Sequence, residues 1–320
     1  MTLAARNLSS ARYPRRELAG PTRSSIRAAL DAALNAAPAL DQATIRLYTQ
    51  SGVQLPSIPQ VAVALYDLLQ DPDADIDATI ELIESDPQIA GAILRCANSG
   101  AYFRGRSISA ISEAVMRIGF REAACLALGL ATRSVISRDM APALQMVETR
   151  RETEWRRGLT IAKAGRSVSQ SLTRGAKELV FAAGLFHTMG KSLSAYLLYH
   201  LERRNPELSQ LDTHQKRIAI RRIRGILTGE YLLRENLPAE LCRTCLAVSD
   251  PSPTCEDESV LMLRTVVGLA AMMFHDGEEQ LVHADLAFAS VKQLGFKRDT
   301  LDLVKHALVQ ADQDVGLLGR

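Results

Sequence analysis

The chain has 320 residues, of which 47% are hydrophobic and 23% charged. That apolar content excludes disorder of the whole chain, and 19 Gly, 12 Pro and 5 Cys exclude collagen-like and disulfide-scaffold classes. A formal net charge of +2 gives no global field towards nucleic acid or acidic lipid, so any such binding needs a local patch. The length suits about two domains, or one large one. Aromatics are 5% while Ala and Leu dominate, which favours helix over strand. An odd number of well-spread cysteines suggests a reducing compartment, and a cytoplasmic location is expected. No long apolar run lacks charge, so neither a membrane span nor a membrane partner is expected.

Residues 1–22 hold Pro14, Gly20 and Pro21 without any period and are expected to be a disordered basic head. Arg6, Arg12, Arg15, Arg16, Arg23 and Arg27 are opposed only by Glu17 before Asp31. Organelle transit peptides share that bias, although a flexible basic tail is the plainer reading. A helical lead-in over 23–50 carries a short helix near Ser24–Asn35, and Gly52–Pro59 is punctuation. An N-terminal helical bundle is expected over 51–140. Val61, Leu65, Leu68 and Leu69 take helical spacing there, and Ile76, Ile80 and Ile83 line the next helix. Asp86-Pro87 is a helix start, an acidic N-cap followed by proline at the first helical position. Ser109–Ile118 and Arg121–Val135 follow, divided by Gly119, and residues 136–150 read as a crossing. A second bundle is expected over 141–312. Its helices fall near Ala143–Leu172, Glu178–His187, Lys191–Arg203, His214–Glu235, Pro238–Val248, Glu256–His275, Asp285–Leu294 and Thr300–Gln313, leaving 313–320 as a tail. No stretch alternates apolar and polar residues, so the fold class is all-α, with two packed helical bundles.

Several clusters invite a chemical reading. Asp71, Asp73, Asp75 and Asp77 mimic a calcium loop, but the places of its glycine and bidentate glutamate hold Ile76 and Leu82. An acidic turn capping the next helix is the better reading. Cys242 and Cys245 form a C-x-x-C with Cys255 nearby, yet they fall inside a helical pattern with no fourth zinc ligand and read as core. Lys216, Arg217, Arg221, Arg222 and Arg224 could be a phosphate-contacting strip for nucleic acid, or a solvated amphipathic face. Few aromatics interleave them, so base stacking is not expected. His275-Asp276, before Gly277, fits a helix C-terminus.

The segment ELVFAAGLFHTMGK, Glu178 to Lys191, resembles the part of HD-superfamily hydrolases where His-Asp is followed by an apolar residue, Gly and Lys. Outward from it, LPSIPQVAVALYDLL (Leu55–Leu69), DPDADIDATIELIESDPQIAGAILRCANSGAY (Asp71–Tyr102) and ISAISEAVMRIGFREAACLALGLA (Ile108–Ala131) are similar to the HDOD family, helical regulatory relatives of those hydrolases. The resemblance covers about residues 50–310 and implies that the second bundle is a degenerate HD-like one. It also implies a non-catalytic bacterial signalling module that meets signalling proteins in trans.

An HD metal site takes an early histidine, the His-Asp pair and a late aspartate. The resemblance places those four positions at Arg157, His187, Thr188 and Ala271. A guanidinium cannot ligate a cation, a threonine hydroxyl is a poor carboxylate, and alanine offers nothing. Neither a catalytic metal nor another cofactor is therefore expected. A metal phosphohydrolase with unorthodox ligands and a nucleic-acid regulator are the competing readings. Arg157, His187 and Lys191, joined by Arg224, could instead form an anion pocket for a phosphate or nucleotide. The plainer alternative is that these cations are solvated, or that Arg157 pairs with Glu154.

Overall fold

The computed structural model describes residues 22–50, 53–136, 138–172, 177–250, 255–274 and 279–318. Among them are fifteen α-helices, two short 3-10 turns and no strand. The head up to residue 21 and the His275-Asp276 pair lie outside the described residues.

Two lead-in helices come first, α1 (Arg23–Ala36) and α2 (Ala39–Thr49). Thr22, placed in the head by sequence, is the N-cap of α1; its Oγ1 accepts from the Ser25 N–H at 3.2 Å. The second helix of this hairpin was not expected. Ile45 and Leu47 of α2 are buried, and both helices pack on the second bundle rather than leading freely into the first.

The first bundle holds α3 (Gln60–Gln70), α4 (Ile76–Glu84), α5 (Pro87–Ala97), α6 (Ile111–Ile118) and α7 (Phe120–Thr132). Asp75 caps α4 through the Asp77 N–H, so the acidic turn starts a helix as read. Asp86 caps α5, accepting from the Gln88 and Ile89 N–H groups at 2.8 and 3.2 Å with Pro87 in the first turn. Ile93 and Leu126 are both buried in its core.

The crossing is partly helical. A 3-10 turn at Arg138–Met140 leads into α8 (Ala141–Gln145), which buries Ala143 and Leu144. The expected single helix from Ala143 to Leu172 is broken at residues 146–150, where Glu148 takes a φ of 57° and the chain turns.

The second bundle is built on two long helices, α9 (Arg151–Leu172) and α10 (Lys177–Arg204). Around them pack α11 (Thr213–Arg234), α12 (Ala239–Val248), α13 (Glu258–Met273), α14 (Glu279–Gln293) and α15 (Arg298–Leu318). The expected division of α10 between His187 and Lys191 is absent. Gly190 suggests a break in the sequence, but it serves close packing: a Cβ there would fall 2.8 Å from the Arg224 carbonyl oxygen on α11. Residues 313–318 are not a tail. Val304, Leu308, Ala311, Val315 and Leu318 continue one buried stripe, so α15 runs to Leu318 against α9.

Candidate functional site

The residues singled out by the HD resemblance come from α9, α10, α11 and α13. Small side chains let α9 and α10 approach closely: a Cβ on Gly184 would lie 3.0 Å from the Ala162 Cα. Gly158 sits directly against Thr188, where an added Cβ would fall 2.2 Å from its Oγ1. That hydroxyl donates back to the Leu185 carbonyl at 2.9 Å, a local bond within α10. His187, Thr188, Ala271 and Arg224 are all buried.

Arg157 and Lys191 do come together, on a carboxylate. Glu154, one turn before Arg157 on α9, is only 2% exposed. Its Oε1 accepts from Lys191 Nζ at 3.0 Å and lies 3.7 Å from Arg157 Nη1. The cations of the expected anion pocket thus share an internal counter-charge, and the Arg157–Glu154 pairing is the plainer alternative named above. Arg224 enters through its main chain, under Gly190, next to Lys191.

This donor set does not fit a divalent metal. Arg157 is a guanidinium, Thr188 has its hydroxyl turned to a backbone carbonyl, Ala271 has no side-chain donor, and the Glu154 carboxylate is held by Lys191. Among the described residues, no three His, Cys, Asp or Glu side chains stand together as a metal cluster.

The α11 strip is largely spent inside the molecule. Lys216 pairs with Glu202 at 3.0 Å, and Arg217 with Glu148 at 2.6 Å. Arg222 holds Asp41 of α2 through two bonds of 2.6 and 3.0 Å, and Asp41 is fully buried. Arg224 is buried and Arg221 half-buried. A row of free cations that could track phosphates is therefore not what α11 presents.

Cys242 and Cys245 are core residues of α12, as read. Burial pushes the Cys242 thiol up to about 12 and the Cys245 thiol well above the ordinary range, so neither is a ready nucleophile.

A second ionic cluster was not visible in the sequence. Lys163 Nζ lies 2.8 Å from Glu122 Oε1 of α7 and 2.9 Å from Asp314 Oδ2 of α15. Arg166 grips Glu178 of α10 at 2.9 and 3.2 Å and reaches Glu122 at 3.5 Å. Arg121 adds a 3.9 Å contact to Glu178. Burial alone would lower the Lys163 pKa, but Glu122 and Asp314 together hold it above the ordinary lysine value. Beside this cluster, Trp155 Nε1 donates to the Gly129 carbonyl at 2.8 Å, and the Arg133 guanidinium covers the Trp155 ring. These groups join the first bundle to the second. The only sequence signal was charge at otherwise apolar helix positions, which does not reveal partners more than a hundred residues away.

The fold is that of an all-α protein with HD-like architecture. Residues 55–251 match the family model of the HDOD domain, and the chain belongs to that family. No curated protein matches it. Among solved structures, it is similar to an HDOD domain protein of unknown function from Geobacter sulfurreducens. Identity there is 17% with a TM-score of 0.65, over 90% of this chain and 99% of that one. It is also similar to a Shewanella amazonensis SB2B protein provisionally named a metal-dependent phosphohydrolase, at 20% identity and TM-score 0.59, over 91% and 99% of the two chains. A third, provisionally named a signal transduction protein, comes from Marinobacter aquaeolei VT8, at 18% identity and TM-score 0.62, over 94% and 67%. Likeness at these identities is one of fold.

Proposed function

We propose that this HDOD chain is a non-catalytic regulatory module of bacterial signal transduction, working in the cytoplasm by binding signalling proteins in trans. The observation that carries the reading is the Lys191–Glu154–Arg157 arrangement at the position where the HD resemblance puts metal ligands. A divalent ion entering there would meet two fixed cations and a carboxylate already neutralised, and Thr188 has no charge to offer it. A site of this kind favours the loss of phosphoester hydrolysis and leaves the surface as the functional part.

The engagement of Lys216, Arg217 and Arg222 with carboxylates of the chain itself weighs against the nucleic-acid reading. Two measurements test the proposal. Hydrolysis of bis(p-nitrophenyl) phosphate in the presence of manganese, magnesium or ferrous iron is expected to stay at background. It is expected to stay there in Thr188→Asp as well, because Arg157 and Ala271 are still wrong. Turnover that His187→Ala abolishes would overturn the reading. Capture of partners from the native host is expected to return signalling proteins, and recovery of nucleic acid alone would count against it.

A further inference from the structure

The helix α1 is held to the rest of the chain by few apolar contacts. Of its fourteen residues only Ile26 and Leu30 are buried. It lies in the groove between α11 and α12, where Leu30 seats over Gly229: a Cβ there would be 3.0 Å from Leu30 Cδ2, 3.6 Å from the Cys242 carbonyl and 3.7 Å from the Leu246 Cβ. The absent side chain at Gly229 is what makes the socket.

The remaining contacts are polar. Arg27 pairs with Glu230, whose side chain is 4% exposed, and Arg23 donates to the Leu233 carbonyl at the C-terminal end of α11. A cation at that end also meets the negative pole of the helix. Arg23, Ile26, Arg27 and Leu30 thus form one face, Arg-x-x-Ile-Arg-x-x-Leu, that reads a small-residue socket, a buried carboxylate and a helix end.

Two features make this contact reversible. Glu230 keeps a second cation when α1 leaves, because Arg234 Nε on its own helix lies 2.7 Å from Oε1. No buried charge is orphaned by departure. The flank of α1 away from α12 is also loosely packed, with an open cavity of about 250 Å³ between α1, α2 and α11 lined by Leu30, Leu34, Ile45, Ile226, Glu230 and Arg234 among others. The helix lies outside residues 55–251, which carry the family match.

We infer that the α11–α12 groove is a helix-docking site, occupied in cis by α1, and that a partner's basic amphipathic helix with the same Arg-x-x-Ile-Arg-x-x-Leu face displaces it. Recognition is of the helix-in-groove kind, with the apolar pair as anchors and the arginines fixing register. The inference leans on the protein-binding reading only for the existence of a partner, and its test uses the chain's own segment.

The probe is a fluorescent synthetic peptide of residues 22–37, titrated into the full chain by anisotropy. Wild type is expected to bind it weakly, because its own α1 fills the groove. The full-chain variant Leu30→Asp, with α1 released, is expected to bind roughly tenfold or more tightly, since apparent affinity scales with the fraction of open groove. Gly229→Ala in that background should remove the gain by raising the floor of the socket. Hydrogen exchange of Leu30→Asp is expected to lose protection in α1 and the facing turns of α11 and α12, while α3–α7 keep theirs. Arg27→Ala serves as a milder second variant and should show the same pattern at smaller amplitude. Equal binding by wild type and Leu30→Asp, no binding at millimolar peptide, insensitivity to Gly229→Ala, or loss of protection throughout both variants would each overturn the inference.

Discussion

Two ionic clusters sit on the α9–α10 pair, and they differ in what they join. At the end near the α9–α10 connection, Arg121, Glu122, Lys163, Arg166, Glu178 and Asp314 come from four helices and balance three acids with three bases. At the HD-like position, Glu154, Arg157 and Lys191 come from two helices and meet on the Glu154 carboxylate. The first ties the two bundles together across their seam. The second sits where the HD resemblance puts metal ligands. A buried ionic group is therefore no sign of catalysis by itself; what its partners belong to decides its role.

The comparison breaks most completely if the core beneath it is removed. Ile93→Asp and Leu126→Asp each place an unpaired charge in the first bundle, at a cost of about 3–5 kcal/mol. Both are expected to lose its cooperative unfolding transition in circular dichroism. Lys163→Met is next. It takes a buried ammonium away from two half-buried carboxylates, Glu122, which keeps Arg166, and Asp314, and is expected to cost about 2–4 kcal/mol in urea denaturation, with part recovered on adding Asp314→Asn. Lys191→Met should cost less, about 1–3 kcal/mol, because Glu154 keeps Arg157. A larger loss for Lys191→Met than for Lys163→Met would reverse the assignment of the two clusters.

Stability should also fall at alkaline pH. Burial pushes the Cys96 thiol up to about 11 and the Tyr48 and Tyr102 hydroxyls to about 12, above their unfolded values of 9.0 and 10.0. Between those limits the unfolded chain holds fewer protons than the folded one, so unfolding becomes more favourable as pH rises. The denaturation midpoint is expected to hold steady below pH 9 and to decline from there towards pH 12. The smallest effect belongs to Arg217→Ala. Its pair with Glu148 is exposed on both sides, and the expected change is about 0–1 kcal/mol.

Much of this organisation was legible because it is local. Asp86-Pro87 announced its helix through capping chemistry, and the spacing of Leu65, Leu68 and Leu69 announced the buried face of α3. The pair of Glu154 and Arg157 could be named because the two lie one turn apart. The continuity of α10 was not legible: Gly190 looks like punctuation until Arg224 is seen beneath it. The docking of α2 through Asp41 and Arg222, 181 positions apart, had no sequence signature either. Nor did the seam, whose partners are set by tertiary packing rather than by helical period.

Ion pairing in place of a metal at the HD-like position is open to direct measurement. Elemental analysis of protein purified without chelator, on wild type and His187→Ala in parallel, tests it most directly. Substoichiometric manganese, iron and zinc are expected, the same in both proteins. One metal ion per chain in wild type, lost in His187→Ala, would contradict it.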